Sequence, residues 1–247
     1  MNTVSILIIA TAHALLGGTG AQTGLWLEEL TTPYYAFADQ GASITIATLP
    51  GGRIPIDPHS LAAAGKNPPT VERYLKDADL QSKLKESRRL EDLAYKDYEA
   101  IFIPGGHGAM WDLASSEVLG KFLSDAWKGG AVIGSVCHGP AAFSLAVKED
   151  GRALVSGLHV TGFSNSEEEK MKLTRVVPFL LETRMREAGG IYAQGPDFEA
   201  FAVRDGRLVT GQNPASSQKV AELMLERQLP AFFYSLPRGS LKTATVA

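Results

Sequence analysis

Short apolar runs rich in β-branched residues alternate along this chain with longer stretches in which apolar residues recur every three or four positions. Four of the runs have the length and continuous hydrophobicity of strands buried on both faces of a parallel sheet. They cover residues 4–10, 42–48, 100–104 and 131–136. The alternation predicts an α/β fold: a flavodoxin-like, doubly wound, mostly parallel sheet with helices on both faces. In such a fold, ligands bind at the carboxyl ends of the strands.

The stretches between the runs predict helices. A first helix has one apolar stripe, formed by Leu27, Leu30, Tyr34 and Phe37. Pro33 lies within this helix and is expected to kink or restart it, because proline lacks the backbone N–H. Further helices are predicted over residues 118–127 and 220–227.

Two stretches interrupt the alternation and predict insertions. Residues 50–97 are rich in Pro, Gly and charged residues and are much longer than a normal connection. We expect them to fold over one sheet edge as a helical insertion, with short helices at residues 71–77 and 80–93. Residues 165–187 form a second insertion of mixed charge, whose last helix ends at a pair of glycines. No interdomain linker is visible, so residues 1–247 are predicted to form one domain.

Composition excludes several classes of function. With 247 residues and 45% hydrophobic content, the chain can bury a large core. Its net charge of −3 and lack of basic clusters argue against a nucleic-acid partner. The apolar stretch near the start lacks a basic flank and is too short to span a bilayer, so it is interpreted as a strand. One cysteine cannot form an internal disulfide, which fits a reducing compartment. We therefore expect a cytoplasmic protein without a membrane partner; a homodimer is compatible with the sequence.

The only cysteine, Cys137, lies between a predicted strand and a predicted helix. Gly139 and Pro140 begin that helix, so the chain must turn sharply at Cys137, as at the nucleophile elbow of α/β-hydrolases. The N–H groups and dipole of the helix start are expected to stabilise a thiolate. The alternative is a buried cysteine that acts as a small hydrophobic residue.

Two further segments with functional potential fall at predicted strand ends. Residues 104–108, Pro-Gly-Gly-His-Gly, follow the third run, and their glycines allow backbone N–H groups to approach a substrate closely. One of these, together with the N–H of His138, would form an oxyanion hole. A fifth short strand, residues 159–161, is followed by three glutamates at residues 167–169. Taken alone, residues 104–108 are equally typical of a tight turn. Three glutamates at a helix start are, taken alone, typical of a solvated turn.

Together these segments resemble the ThiJ/PfpI family of the class I glutamine-amidotransferase-like superfamily. The resemblance is strongest to its heat-shock branch of glutathione-independent glyoxalases, often called glyoxalase III. Besides the first strand, the matching segments lie at residues 23–33, 104–108, 136–140, 161–168 and 206–216. The combination is specific, whereas no single segment is.

The resemblance implies catalytic roles for four side chains. Cys137 matches the nucleophile, His138 its adjacent histidine, and Glu168 the third member of a triad. Glu29 matches a carboxylate that the family places beside the cysteine. The helix pattern favours Glu29 over Glu28, because Glu29 shares a stripe with apolar neighbours. Burial there would raise its pKa and allow it to hold a proton at neutral pH.

The backbone N–H groups of Gly106 and His138 are the predicted oxyanion donors. Four side chains are candidate walls of the substrate pocket: Trp26, His107, Trp111 and Phe163. The five histidines lack the spacings of a metal site, so neither a metal nor another cofactor is expected. His13 and His59 are interpreted as loop or cap residues.

The resemblance implies a hydro-lyase of the glyoxalase III type, in the D-lactate dehydratase class. Cys137 would add to the aldehyde of a small 2-oxoaldehyde such as methylglyoxal, and Glu29 would move a proton between the two former carbonyl carbons, giving lactate. Three alternatives stay open: a protein deglycase, a holdase chaperone or cysteine redox sensor, and a cysteine peptidase. A glutaminase is disfavoured, because no His-x-Glu follows Cys137.

Overall fold

A mostly parallel sheet forms the centre of the molecule, for which a computed structural model describes residues 3–228. The strands are β1 (Ser5–Ile9), β2 (Ser43–Thr48), β3 (Arg88–Arg89), β4 (Ala100–Ile103), β5 (Val132–Val136), β6 (His159–Val160), β7 (Ile191–Tyr192), β8 (Ala202–Asp205) and β9 (Leu208–Gly211). Seven of them form one sheet in the order β3-β2-β1-β4-β5-β9-β8, and β6 pairs with β7 separately. Every pairing is parallel except that of β8 with β9.

Helices cover this sheet. They are α1 (Leu27–Ala38), α2 (Pro69–Tyr74), α3 (Ala78–Lys85), α4 (Glu117–Lys128), α5 (Asn165–Lys170), α6 (Leu181–Glu187) and α7 (Ser217–Gln228). Helix α7 packs against α1, β5 and β9, whereas α4 packs against a 3-10 helix that follows β5. All residues of β4 and β5 are buried, as expected for central strands covered on both faces.

The sequence pattern located the central strands correctly. The four apolar runs form β1, β2, β4 and β5, which confirms the α/β fold. The predicted apolar stripe of α1 is buried. The helix does not restart at Pro33, since α1 is one unbroken span from Leu27 to Ala38.

One local prediction was wrong, and one pair of strands was missed. The helix predicted over residues 80–93 ends at Lys85, because Ser87 hydrogen-bonds with Gly52 and the next residues pair with β2 as the edge strand β3. The helix predicted after Cys137 is present, as a 3-10 helix over Gly139–Leu145. The short hairpin of β8 and β9 was not predicted, although β9 is fully buried beside β5.

The topology brings the carboxyl ends of β4 and β5 side by side, with Ile103 opposite Ser135. The Gly-rich turn after β4 and the cysteine turn after β5 therefore meet at one sheet edge. Within residues 3–228, no helix combines the length and apolar character needed to cross a bilayer.

Candidate active site

Cys137 occupies a strained turn directly after β5. Its φ of 59° is in the left-handed region, which residues other than glycine seldom adopt. Two hydrogen bonds hold the turn: the Cys137 N–H donates to the Gly211 carbonyl at 3.0 Å, and the Phe163 N–H donates to the Cys137 carbonyl at 2.9 Å. Gly139 permits the close turn, because a Cβ there would lie 2.4 Å from the Ile103 carbonyl oxygen.

His138 links the thiol to a buried carboxylate. Its Nδ1 lies 3.3 Å from the Cys137 Sγ, and its Nε2 lies 2.7 Å from Oε2 of Glu168. The other oxygen of Glu168, Oε1, lies 3.0 Å from Nε2 of His107. Glu168 is in the first turn of α5, which begins at the N-cap residue Ser164. One carboxylate is therefore hydrogen-bonded to two imidazole rings.

Glu168 and His138 influence each other's charge in opposite ways. Burial alone would raise the pKa of Glu168, but the charge of His138 and hydrogen bonds from both histidines hold it well below its usual range. Burial and the neighbouring His107 lower the pKa of His138, although Glu168 partly offsets them. The pKa values of both groups are thus below their usual values. At neutral pH, the substrate-free site therefore combines an ionised Glu168 carboxylate with a neutral His138 imidazole.

Glu29, in the first turn of α1, is fully buried against the Gly-rich turn that follows β4. The Gly105 N–H donates to its Oε2 at 2.7 Å, whereas its Oε1 receives no hydrogen bond from the described residues. Burial raises the pKa of Glu29 to about 8, although interactions with Cys137 and the Gly105 N–H oppose this rise. At neutral pH the carboxyl is mostly protonated, which fits an oxygen that donates its proton towards sulfur. Glu28 is only half-buried.

The Cys137 thiol is protonated in this environment. Burial raises its pKa well above the usual value, and the nearby Glu29 raises it further, while the His138 backbone N–H partly opposes them. The expectation that the helix start would stabilise a thiolate is therefore wrong for the substrate-free site. The short 3-10 helix does not compensate for desolvation of the sulfur.

The Gly-rich turn after β4 lies directly against the elbow. A Cβ on Gly105 would lie 2.6 Å from the His138 nitrogen and 2.8 Å from Oε2 of Glu29, so only glycine fits there. Gly106 has a φ of 93°. Among the described residues, neither its N–H nor that of His138 donates to an oxygen atom. Both predicted oxyanion donors are thus unengaged by carbonyl or carboxylate groups.

Two of the predicted pocket residues, His107 and Phe163, lie directly against His138, and the His107 ring centroid is 4.1 Å from that of His138. The Phe163 ring centroid lies 4.4 Å from that of His138. Phe198 was not predicted from the sequence. Its ring centroid lies 6.3 Å from that of Phe163, its side chain is 45% exposed, and its backbone φ is 63°. It follows a loop with no periodic pattern, so nothing in the sequence indicated its place. Gly105 as the donor to Glu29 was also missed, although its position in the Gly-rich turn was a usable signal.

The two candidate tryptophans lie at different distances from the chemistry. The Trp26 backbone N–H donates to the Gly105 carbonyl at 3.3 Å, which ties the start of α1 to the Gly-rich turn. The Trp111 ring stacks on His13 with centroids 5.2 Å apart. Within residues 3–228, no ring contact joins Trp111 to His138, so its place in the substrate pocket stays a prediction.

One group of described residues has the composition of a metal site. Ligand atoms of His107, His138 and Glu168 all lie within 4.8 Å of one another. The two carboxylate oxygens and the Nε2 atoms of both histidines are paired with each other through the two imidazole–carboxylate hydrogen bonds. These bonds account for the arrangement without requiring a metal, so the prediction of a metal-free site stays a prediction.

Comparison with known proteins identifies relatives along nearly the whole chain. Residues 22–227 match the DJ-1/PfpI family. The chain is 29% identical over 224 residues to the glutathione-independent glyoxalase HSP31 of Saccharomyces cerevisiae, covering 87% of this chain and 94% of that protein. It is 27% identical to the protein/nucleic acid deglycase HchA of Staphylococcus aureus, covering 88% and 76% respectively. The solved structure of the Rapid Encystment Protein 24 KDa of Francisella tularensis is similar with a TM-score of 0.85 and 37% identity, covering 91% of this chain and 98% of that one.

Proposed function

Because this chain belongs to the DJ-1/PfpI family, we propose that it is a glutathione-independent glyoxalase, which converts 2-oxoaldehydes such as methylglyoxal to 2-hydroxy acids such as lactate. One observation carries the proposal. A thiol at the carboxyl end of a central strand interacts with a protonated carboxyl group, Glu29, and with a neutral imidazole, His138. This arrangement supplies a nucleophile, an acid and a base without a bound cofactor.

The first step forms a hemithioacetal. The Cys137 Sγ gives its proton to Nδ1 of His138 and bonds to the aldehyde carbon, while the C=O π-electrons move to oxygen. The N–H groups of Gly106 and His138 stabilise this oxyanion, which then takes the proton of Glu29. The products of the step are a neutral adduct, an imidazolium ion and a Glu29 carboxylate.

The second step moves hydrogen between the two former carbonyl carbons. The Glu29 carboxylate removes the proton from the carbon bonded to sulfur, and the ketone oxygen takes the proton of the His138 imidazolium, which gives an enediol. Glu29 then returns its proton to the second carbon, and the hydroxyl on the first carbon loses its proton to His138. A thioester results, again with a Glu29 carboxylate and an imidazolium.

Hydrolysis restores the site. Water adds to the thioester carbon and loses one proton to Glu29, and the leaving sulfur takes the proton of His138. The 2-hydroxy acid departs, and Cys137, His138 and Glu29 return to their starting protonation states. The reaction is of the glyoxalase III, hydro-lyase type: one water is added, and both former carbonyl carbons are kept in the product.

The similarity to HchA favours one second candidate, removal of early glycation adducts from proteins. The same thiol would attack the adduct carbon instead of the free aldehyde. Cys137 is only 4% exposed, so the adduct would have to extend into the site. This burial favours the small free aldehyde as the substrate.

The decisive test is proton NMR of methylglyoxal incubated with the purified protein in the absence of thiols. We expect stoichiometric lactate from the wild type and none from Cys137→Ala, which should keep the wild-type circular dichroism. Incubation with a preformed adduct of methylglyoxal and N-acetylcysteine separates the candidates: a glyoxalase consumes it no faster than free aldehyde is released. Lactate formation by Cys137→Ala at the wild-type rate would disprove the covalent scheme.

A further inference from the structure

Glu168 is shared between two histidines. Its Oε2 accepts from Nε2 of His138 at 2.7 Å and its Oε1 from Nε2 of His107 at 3.0 Å. The three side chains are 1% (His138), 8% (His107) and 2% (Glu168) exposed, and the two imidazole centroids are 4.1 Å apart. The proposed reaction uses His138, to which Glu168 is hydrogen-bonded, but assigns no task to His107.

The hydrogen bonds determine which ring nitrogens carry protons. An ionised carboxylate only accepts hydrogen bonds, so Nε2 of each histidine must be the protonated nitrogen. A neutral imidazole has a single N–H, and Nδ1 of each ring therefore has a free lone pair. In His138 this lone pair faces the Cys137 Sγ at 3.3 Å. Nδ1 of His107 has no hydrogen bond within the described part of the chain.

Sharing divides the electrostatic support that Glu168 can give. A carboxylate bonded to one imidazole alone would favour that ring's protonated form. Here a second N–H draws on the same negative charge, and a second ring lies against the first. Both effects oppose an imidazolium at His138.

We propose that His107 is a positioning residue: by sharing Glu168 with His138, it keeps His138 in the neutral Nε2–H tautomer whose Nδ1 accepts the Cys137 proton. The proposal rests on the proposed function only in taking His138 as the base for the thiol. His107 acts through Glu168 and need not touch the substrate.

Other charged groups near His138 are fixed by their own partners. Glu167, also on α5, accepts from the Phe198 N–H and from Nδ2 of Asn213, both at 2.8 Å. Cys137 is on the same turn as His138, and the Phe163 ring that lies against His138 is uncharged. Among these surroundings, His107 is the neighbour whose removal changes the hydrogen bonding of Glu168.

The first test needs no substitution. Long-range proton–nitrogen NMR of protein labelled with 15N-histidine reports the tautomer of each of the five histidines. At neutral pH, we expect Nε2–H forms for His107 and His138, assigned by the loss of their signals in single variants. An Nδ1–H form at either residue would overturn the proposal.

The second test compares His107→Leu, which removes the donor, with His107→Gln, whose amide can still donate to Glu168. The readout is the rate of Cys137 alkylation by iodoacetamide against pH, which needs the neutral base but no aldehyde substrate. In His107→Leu, we expect the acidic limb of the pH–rate profile to move up by about one pH unit. At pH values on this limb, the alkylation rate should therefore fall about tenfold. His107→Gln and the exposed-site control His159→Gln should stay near wild type.

Two outcomes would contradict the proposal. One is an unchanged acid limb in folded His107→Leu, and the other is an equal displacement in His107→Gln and His107→Leu. Because alkylation and NMR involve no methylglyoxal, these results are independent of whether lactate is formed. Failure of the proposed function would instead appear as normal alkylation without turnover.

Discussion

The pKa values of two buried glutamates in the candidate site shift in opposite directions. Glu29 is 0% exposed and Glu168 is 2% exposed, so burial disfavours the charged form of both. Glu29 accepts one hydrogen bond, from a backbone N–H, and its pKa rises to about 8. Glu168 accepts from two imidazoles, and its pKa falls below the usual range. Burial outweighs the other interactions at Glu29, whereas the charge of His138 and the hydrogen bonds from two imidazoles outweigh burial at Glu168.

The contrast assigns different tasks to chemically identical side chains. Groups whose environments push their pKa values apart are suited to act as acid and base in one reaction. Glu29 can donate and recover a proton at the reacting carbons. Glu168 stays ionised and orients His138 for proton exchange with sulfur. Replacing Glu29 by a side chain that cannot exchange a proton therefore removes the proton transfer at carbon.

The largest effect is therefore expected for Glu29→Gln. Glutamine keeps the shape and can accept from the Gly105 N–H, but it cannot remove a proton from carbon. We predict that the variant still forms a covalent methylglyoxal adduct, protonated by His138, and that lactate release slows at least ~100-fold, the scale of losing a general base. Intact-protein mass spectrometry and NMR of lactate measure the two steps separately.

Glu28→Gln is the matched control, because Glu28 is the adjacent residue, has the same chemistry and is only half-buried. Its lactate rate should be close to wild type. If Glu28→Gln were the inactive variant, the assignment of the proton-transferring carboxyl to Glu29 would be wrong.

The fold was predictable to the extent that hydrophobic pattern determines it. Continuous apolar runs identified β1, β2, β4 and β5, because buried parallel strands have no polar face. Pattern failed where pairing with distant segments decides the structure. Residues 88–89 follow a helical pattern and yet add to the edge of β2, and β9 has only four residues.

The candidate site was predictable in its residues but less so in its electrostatics. The strand-to-helix punctuation around Cys137 indicated an elbow, and the family resemblance supplied Glu29 and Glu168. The protonated thiol was not foreseen, because its pKa depends on burial and on Glu29, which is distant in sequence. The bond of His107 to Glu168 likewise joins residues 61 positions apart.

An intermediate effect is expected on stability. The pKa of Glu29 is about 8 in the folded protein against an ordinary 4.5, so the folded state holds a proton that the unfolded state loses. This contribution is fully present below pH 4.5 and is lost as pH rises towards 8. The free energy of unfolding of wild type, relative to Glu29→Gln, should fall by up to about 1.4 kcal/mol per pH unit in that window. Urea unfolding of both proteins across the window measures it.

Glu168 should show the opposite sign in the same experiment. Its folded pKa is lowered, so its contribution is present above the ordinary value of 4.5 and is lost as pH falls below it. Relative to Glu168→Gln, wild type should therefore lose stability only on the acid side. Parallel slopes for the two glutamates would contradict the comparison between them.

The smallest effect, no change at all, is expected from metal removal. His107, His138 and Glu168 have the composition of a metal site, but their facing polar atoms are satisfied by hydrogen bonds within the group. In the proposed reaction, Cys137 supplies the thiol and Glu29 the acid and base, so no step needs a Lewis acid. Dialysis against a chelator should leave the lactate rates of wild type and Glu28→Gln within experimental error. Loss of wild-type activity with chelator, and its recovery with an added divalent cation, would show that the shared carboxylate binds metal in the active protein and that its pairing with two imidazoles is not the working state.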